Sequence, residues 1–210
     1  MKKAIIFLNG DRTDVSRIKN VIDDQTLVIG CDGGVKHAIN LGITPHVILG
    51  DMDSISAQLK KTLEKKHVKF ISFPTKKDNT DAELALLYAV KHGCSDIVIT
   101  GMLGTRIDHM LATILMLSQK QFSKTNIRII EGNQNMYIVH KKIELTGKKG
   151  DTVSIIPIIN SHGLTTKNLA YKLSNATLSF GTTRGISNML IENKAEIFLK
   201  KGMLLVVHKQ

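Results

Sequence analysis

The sequence contains no tryptophan, few aromatic residues and no long apolar run, and each of these absences argues against a class of protein. Aromatic residues make up 4% of the 210 residues. No arginine-rich block and no basic patch interleaved with aromatic residues occurs, so the usual surface of a single-stranded nucleic-acid binder is missing. No run of about 18 uninterrupted apolar residues occurs either, which argues against a transmembrane helix. We therefore expect no nucleic-acid partner and no membrane partner.

Cysteine is also scarce, and the start of the chain does not have the pattern of a secretion signal. The two cysteines, Cys31 and Cys94, form no CxxC motif. Such residues are typical buried thiols of a reducing compartment. The apolar run over 4–8 is shorter than the roughly 7 to 15 residues of a signal-peptide core. We expect this run to be a first buried strand and the protein to be cytoplasmic.

What the sequence does have is positive charge, with a formal net charge of +11. A basic balance favours anionic partners, among them nucleic acid, a membrane surface or a phosphorylated small molecule. The lysines are scattered in pairs, which is more typical of a solvated surface. These pairs are Lys60–Lys61, Lys65–Lys66, Lys76–Lys77 and Lys141–Lys142.

Up to about residue 132, short apolar runs alternate with segments of helical spacing. The runs are apolar throughout, which favours a parallel sheet covered on both faces. The alternation is typical of a doubly wound α/β domain, in which ligands bind at the carboxyl ends of the strands. The predicted strands are KAIIFL, TLVIGC, HVILG, VKFISF, DIVITG and IRIIEG, and the predicted helices cover 34–41, 55–66, 80–92 and 107–121.

The pattern changes near 132–133. From there to the end, short runs, many of them alternating, are separated by Gly, Asn and Lys turns. This pattern predicts an all-β, antiparallel domain. We therefore expect an α/β domain over 1–132 and an all-β domain over 133–210.

Two acidic pairs stand at the edge where strand ends should meet. Asp51 and Asp53 follow the run VILG, and Asp78 and Asp81 precede a helical segment. Residues two apart point the same way if the chain stays extended. Carboxylate oxygens suit Mg²⁺, which takes one or two of them and completes its shell with waters and substrate phosphates. Loop and helix-cap roles are the ordinary alternative for each pair alone, but two pairs at strand ends favour a metal and nucleotide site.

Two further strand-end segments could bind anions. In CDGG, Gly33 and Gly34 follow a strand and leave backbone amides open to an anion, while Asp32 could bind a ribose hydroxyl or join the acidic cluster. A tight turn is the simpler reading of that segment. In GMLGTRIDHML, Arg106 is suited to bidentate contact with phosphate oxygens, and Asp108 and His109 follow at a helix start.

In the β-rich part, SFGTTRGISNML carries Thr182, Thr183, Arg184, Ser187 and Asn188 around two glycines. By itself it is a polar loop between strands. No candidate nucleophile has a histidine partner nearby in sequence, so covalent catalysis is not supported.

Taken in order, CDGG, GDMDSI, PTKKDNTDAELAL, GMLGTRIDHML and SFGTTRGISN resemble the thiamin pyrophosphokinase (thiamine diphosphokinase) family, and the bacterial branch in particular. The resemblance implies an α/β catalytic domain that binds ATP and a C-terminal β-sandwich that binds thiamine. It implies transfer of the pyrophosphoryl group of ATP to the hydroxyethyl group of thiamine, giving thiamine diphosphate and AMP with Mg²⁺. It also implies a homodimer with the active site at the subunit interface.

The resemblance assigns roles residue by residue. Asp51, Asp53 and Asp81 are the implied Mg²⁺ ligands, and together with Asp78 they form the implied catalytic set. The implied nucleotide-binding residues are Asp32, Gly33, Gly34, Lys77, Arg106, Asp108 and His109. The implied thiamine-binding residues are Thr183, Arg184, Ser187 and Asn188. Animal and fungal members stack a tryptophan on the thiamine ring, and this chain has none.

Two other functions remain open at this point. One is another Mg²⁺-dependent phosphoryl transferase or phosphohydrolase with the same aspartates, which would release ADP or phosphate. The other is a basic nucleotide- or nucleic-acid-binding module without turnover, whose binding would depend on salt. The acidic pairs argue against the second, because they repel a phosphate backbone.

Overall fold

The computed structural model describes residues 1–11, 14–74 and 78–210. The chain divides into two compact units, Met1–Gly132 and Asn133–Gln210.

The first unit is built on six parallel strands. In the sheet they stand in the order β4-β3-β2-β1-β5-β6, and every neighbouring pair is parallel. All six predicted strands are confirmed. They are β1 (Lys2–Phe7), β2 (Leu27–Cys31), β3 (Val47–Gly50), β4 (Lys69–Ser72), β5 (Cys94–Thr100) and β6 (Asn126–Glu131).

Within the described part of the chain, four α-helices connect these strands, at the positions that the helical spacing predicted. Two of them begin with a side-chain cap: Ser56 accepts a hydrogen bond from the Leu59 N–H, and Thr80 accepts one from the Glu83 N–H. Such caps satisfy amides that the first helical turn leaves open. The helices are α1 (Val35–Asn40), α2 (Ala57–Lys65), α3 (Asp81–Lys91) and α4 (Ile107–Met116).

The sheet is buried on both faces, as its apolar strands indicated. All four residues of β3 are buried. On β1, the consecutive residues Ile5, Ile6 and Phe7 are each at most 1% exposed although their side chains alternate between faces. Their burial confirms the doubly wound arrangement, because a sheet with one solvated face would expose every second side chain.

The strand order reverses between β1 and β5. From β1 the chain adds β2, β3 and β4 on one side, and then returns to add β5 and β6 on the other. In a parallel sheet the loops diverge at such a point and leave a crevice beyond the carboxyl ends of the strands. The fold therefore places a ligand crevice at the segments that follow β1 and β5.

The second unit is antiparallel. Its main strands stand in the order β7-β13-β9-β12-β8, and β10 and β11 pair with β9. Residues from both ends of this path, including Leu145, Ile155, Ile197 and Leu204, meet in one buried cluster, as in a β-sandwich. The strands are β7 (Gln134–Val139), β8 (Lys142–Thr146), β9 (Thr152–Lys167), β10 (Ala176–Leu178), β11 (Asn188–Met189), β12 (Lys194–Phe198) and β13 (Lys201–Lys209).

One detail of this unit differs from the sequence interpretation. The runs DTVSIIPI and GLTTKN were predicted as separate runs, but both belong to the 16-residue strand β9. Gly163 lies within β9 with a φ of 68°, and the pairing with β13 shifts register between Lys201 and Leu204. The glycine therefore marks an irregularity inside a strand, where sequence alone suggests a turn. No helix in the described residues is long and apolar enough to cross a membrane.

Candidate active site

A cavity of about 630 Å³ lies in the first unit, beyond the carboxyl ends of its strands. Its walls come from the segments that follow β1, β2, β3 and β5 and from the first turns of α3 and α4. The polar side chains that line it include Asn9, Asp32, Asp51, Asp81, Arg106 and His109. The crevice expected from the strand order therefore contains three of the acidic residues that the sequence singled out, Asp32, Asp51 and Asp81.

Asp32 is the centre of the acidic cluster. It directly follows β2 with a positive φ of 44°, and its half-buried carboxylate accepts a hydrogen bond from the Met52 N–H at 3.2 Å. The pKa of Asp32 is raised to about 7, chiefly by burial and then by the negative charges of Asp81 and Asp51, while the Met52 hydrogen bond lowers it. Asp32 is thus close enough to both Asp81 and Asp51 for their charges to disfavour its own.

Asp51 and Asp81 reach the cluster from two other segments. Asp51 follows the last residue of β3, and Asp81 is the first residue of α3. The start of a helix carries a partial positive charge that favours a carboxylate. Both residues line the cavity. Three different strand or helix ends therefore supply one acidic cluster, which we call the aspartate cluster: Asp32, Asp51 and Asp81.

Asp53 and Asp78 lie outside the lining of the cavity, and both are exposed. Asp53 would point the same way as Asp51 in an extended chain, but Met52 between them has a φ of 67°. The chain turns there, and the Asp53 N–H donates to the Asp51 carboxylate at 3.2 Å. The backbone thus separates two carboxylates that the spacing alone would have paired, and catalytic roles for Asp53 and Asp78 stay predictions.

Gly33 and Gly34 are buried in the turn after β2 and do not line the cavity. A Cβ at Gly33 would overlap the Asn9 side chain, and one at Gly34 would overlap the backbone of Phe7 and Leu8. These glycines let the segments after β1 and β2 approach each other closely. The two glycines contact neighbouring protein segments and do not face the cavity.

Arg106 and His109 line the cavity at the start of α4. Arg106 binds Asp108 in a bidentate pair, with Nε–Oδ1 at 3.0 Å and Nη2–Oδ2 at 2.7 Å. This guanidinium holds the pKa of the Asp108 carboxyl far below its usual range. Asp108 itself lies outside the lining, so it orients Arg106 at the cavity. The last predicted nucleotide-binding residue, Lys77, lies outside the described residues.

The sequence interpretation placed the turn NGD after β1 at the predicted ligand edge but assigned no role to its residues. Asn9, Gly10 and Asp11 all line the cavity, and the Asp11 carboxylate accepts a hydrogen bond from the Thr105 N–H at 3.1 Å. The signal was present, because NGD is the polar turn at the end of the first strand. It became interpretable once β1 was known to border the switch in strand order.

In the second unit, the predicted thiamine-binding residues lie on one loop. Thr183, Arg184 and Ser187 are exposed. Ser187 has a φ of 58°, and its N–H donates to Ser154 Oγ at 3.1 Å. A left-handed conformation at a non-glycine residue is uncommon, and strained residues of this kind cluster at functional sites.

Asn188 differs from these neighbours because it is 3% exposed. Its Oδ1 accepts hydrogen bonds from the N–H groups of Tyr171 and Met189, both at 2.9 Å, and its Nδ2 donates to the Tyr171 carbonyl at 2.8 Å. The Asn188 side-chain amide therefore binds both the N–H and the carbonyl group of Tyr171. The Tyr171 residue that it holds is 68% exposed, and sequence reasoning did not single it out.

Across 1–11, 14–74 and 78–210, no three His, Cys, Asp or Glu side chains are placed to hold one metal ion. The aspartate cluster is close enough for its charges to interact but does not form a closed cage. It matches the open kind of site that Mg²⁺ shares with the phosphates of a substrate.

Comparison with known proteins relates both units to one family. The family described as thiamin pyrophosphokinase, catalytic domain, matches residues 18–130, and the vitamin B1 binding domain of thiamin pyrophosphokinase matches residues 138–204. The chain is 31% identical to a thiamine pyrophosphokinase of Bacillus subtilis over 211 residues, covering 99% of this chain and 98% of the relative.

More distant relatives and a solved structure agree. The chain is 26% identical to thiamin pyrophosphokinase 1 of Caenorhabditis elegans, covering 96% of this chain and 86% of the relative. The crystal structure of the Bacillus subtilis thiamine pyrophosphokinase is similar with a TM-score of 0.90 at 29% identity, covering 100% of this chain and 99% of that one.

We predict that Gly50→Ala lowers the melting temperature more than Gly42→Ala does. Gly50 has a φ of 146°, and a Cβ there would overlap the Asp32 carboxylate; Gly42 has a φ of 77° and open space around it. Gly42→Ala therefore introduces left-handed backbone strain of roughly 1–2 kcal/mol without the overlap. Thermal unfolding of both variants measures the difference. Equal losses would show that the Asp32 carboxylate moves away at little cost.

We also predict a pH-dependent difference between the wild type and Asp32→Asn in EDTA. The folded-state pKa of Asp32 is about 7, above its ordinary value of 3.8. Below the ordinary value both states are protonated, and as pH rises towards 7 the unfolded state binds fewer protons, so the folded state loses stability.

The Asn variant lacks this loss, and its melting temperature relative to wild type should rise between about pH 4 and 7. The exposed Asp24→Asn variant is the matched control. If the difference for Asp32→Asn stays as constant with pH as that for the control, the raised pKa of Asp32 is contradicted.

Proposed function

The chain belongs to the thiamin pyrophosphokinase family, and from that premise we propose how its residues divide the work. It is an enzyme that transfers the pyrophosphoryl group of ATP to the hydroxyethyl group of thiamine, giving thiamine diphosphate and AMP. The observation that carries our proposal is the meeting of Asp32, Asp51 and Asp81 at one cavity. We assign ATP to the cavity of Met1–Gly132 and thiamine to Asn133–Gln210.

We propose that Asp51 and Asp81 hold Mg²⁺ on the phosphates of ATP. Their oxygens are the hard donors that Mg²⁺ prefers, and two carboxylates with an open side leave room for phosphate and water ligands. Burial and then the negative charges of Asp81 and Asp51 raise the pKa of Asp32, so a cation beside the aspartate cluster would be favourable. The residues therefore fit the ion. When bound, Mg²⁺ neutralises phosphate charge and lets the triphosphate approach carboxylates.

The remaining residues act by position and charge. Arg106 faces the cavity with a guanidinium that Asp108 orients, which suits it to the phosphate oxygens. His109 lines the same wall and can donate to a phosphate or to the leaving AMP. Transfer requires the thiamine hydroxyl in line with the β-phosphorus while the bond to AMP breaks.

We propose that a carboxylate accepts the proton of that hydroxyl. Asp78 and Asp81 are the two candidates from the sequence, and only Asp81 lines the cavity. We therefore propose Asp81 as the acceptor of the two. Asp53, which is exposed, has no role in this assignment.

We propose that thiamine lies on the loop of Thr183, Arg184 and Ser187, with Tyr171 stacked on its ring system. Thiamine is a cation with aromatic rings, and an aromatic face attracts such a group. Tyr171 is exposed, and both sides of its backbone are held by Asn188. In this proposal Asn188 acts through Tyr171, which takes the place of the tryptophan that the chain lacks.

We propose a homodimer with the active site at the subunit interface. Ile107, Leu111 and Leu115 recur every four residues on α4 and are 62%, 50% and 51% exposed. They form an apolar stripe on one helix face, of the kind that marks a protein contact. Arg106 and His109 belong to the same helix start and line the cavity. A second copy on the stripe would lie beside the ATP site.

We also propose that the enzyme is cytoplasmic. Cys31 and Cys94 are both free and buried, as expected of thiols in a reducing compartment. ATP, the co-substrate, is used there.

The function is tested by separating the products formed from ATP, Mg²⁺ and thiamine. We expect AMP and thiamine diphosphate in equal amounts, and neither when Mg²⁺ or thiamine is left out. ADP or free phosphate would identify a different phosphoryl transferase or a phosphohydrolase. No turnover together with salt-dependent binding to DNA or RNA would favour a binding module.

Asp81→Asn should lower turnover by about 100-fold or more, since it removes a carboxylate from both proposed roles, metal ligand and proton acceptor. The fold should be retained, because Asn at the first helical position keeps the volume of the side chain. Asp24→Asn, an exposed change of the same kind, is the control. Turnover within threefold of wild type for Asp81→Asn would remove Asp81 from the mechanism.

Tyr171→Ala should raise the KM for thiamine roughly 5- to 30-fold, corresponding to about 1–2 kcal/mol of cation–π and stacking energy. Tyr171→Phe should stay close to wild type because it keeps the ring. Phe198 is 43% exposed in a separate hollow beside Lys142 and Lys167, so Phe198→Ala is the matched control. If Tyr171→Ala and Phe198→Ala behave alike, the stacking proposal is wrong.

A further inference from the structure

Glu131 is a buried acid that the proposed mechanism does not use. It is the last residue of β6, and it is 1% exposed. A buried carboxylate is costly unless it accepts hydrogen bonds. Its Oε1 accepts one from the Met102 N–H at 2.6 Å. The acid therefore reaches across from β6 to the segment that follows the neighbouring strand β5.

The peptide group between Gly101 and Met102 is held from both sides. Its N–H donates to Glu131, and its carbonyl accepts a hydrogen bond from the Gly10 N–H at 2.7 Å. Gly101 has a φ of 79°, and a Cβ there would overlap the Leu8 carbonyl. This one peptide joins the segments after β1 and β5 at the switch in strand order, and Glu131 fixes its orientation.

The chain that leaves this peptide forms one wall of the cavity. Met102, Gly104, Thr105 and Arg106 follow within five residues of Gly101 and all line it. Helix α4 begins at Ile107, directly after them. A change in the orientation of the Gly101–Met102 peptide would therefore displace Arg106 and the start of α4.

We propose that Glu131 is a positioning residue for ATP. It acts through the Met102 N–H, sets the course of the segment 102–106, and so presents Arg106 to the phosphates. This inference rests on the proposed function, in which ATP occupies the cavity. Glu131 contacts the protein backbone, so it is not assigned a catalytic role.

Two conservative substitutions of Glu131 separate the effect of side-chain length from the effect of charge. Glu131→Gln keeps the side-chain length and an acceptor oxygen but removes the charge. Glu131→Asp keeps the charge but is one methylene shorter and cannot reach the Met102 N–H in the same backbone. If the hydrogen bond matters, Gln substitutes for Glu and Asp does not.

The experiment measures the Kd for MgATP by calorimetry and the KM values for ATP and thiamine. We expect Glu131→Asp to raise the Kd and the KM for ATP roughly tenfold, because the buried Met102 N–H loses its acceptor. The KM for thiamine should not change. Glu131→Gln should stay within about threefold of wild type. Glu64→Asp, the same change on the exposed face of α2, is the control.

The inference is overturned if Glu131→Asp binds MgATP like wild type, or if Glu131→Gln is as impaired as Glu131→Asp. It is also overturned if both KM values rise together in step with a lower melting temperature, which a general loss of structure would produce. A different result would contradict the proposed function: wild-type protein that binds MgATP but makes no thiamine diphosphate. In that case the calorimetric comparison still tests Glu131.

Discussion

The burial of the Asp32 carboxyl beside Asp51 and Asp81 is the constraint on which the rest of the site depends. Burial, and then the negative charges of Asp81 and Asp51, raise the pKa of Asp32, so the charged form of this carboxyl is unfavourable in the protein alone. In the proposed function, a cation and a triphosphate turn these carboxylates into a binding site. The parallel sheet makes the arrangement possible, because its buried strands hold the segments after β2 and β3 and the start of α3 at one edge.

The two units meet different physical demands. The first unit must hold charged side chains in a fixed geometry. Short turns whose backbones pack closely against each other keep these side chains in place. In our proposal the second unit presents a surface to an aromatic organic cation, and there the exposed Tyr171 ring, whose backbone is held by a buried amide, gives a support at little entropic cost. In both units the residue proposed to face the ligand is bound by one that does not: Asp108 binds Arg106, and Asn188 binds Tyr171.

Much of this could be predicted from the sequence, for identifiable reasons. Continuous apolar runs predicted the six parallel strands, and polar residues after them predicted the edge at which Asp32, Asp51 and Asp81 meet. The separation of Asp53 from Asp51 could not be predicted, because it depends on the left-handed backbone at Met52. Nor could the contact from Glu131 to Met102, since it joins residues 29 positions apart that only the β5–β6 pairing brings together.

The most direct test of the central claim is anomalous diffraction from crystals grown with Mn²⁺ in place of Mg²⁺ and a non-hydrolysable ATP analogue. The account predicts a manganese peak about 2.1 Å from carboxylate oxygens of Asp51 and Asp81, with phosphate oxygens completing its shell. A nucleotide bound outside this cavity, or manganese held by phosphates alone with both carboxylates turned away, would contradict it.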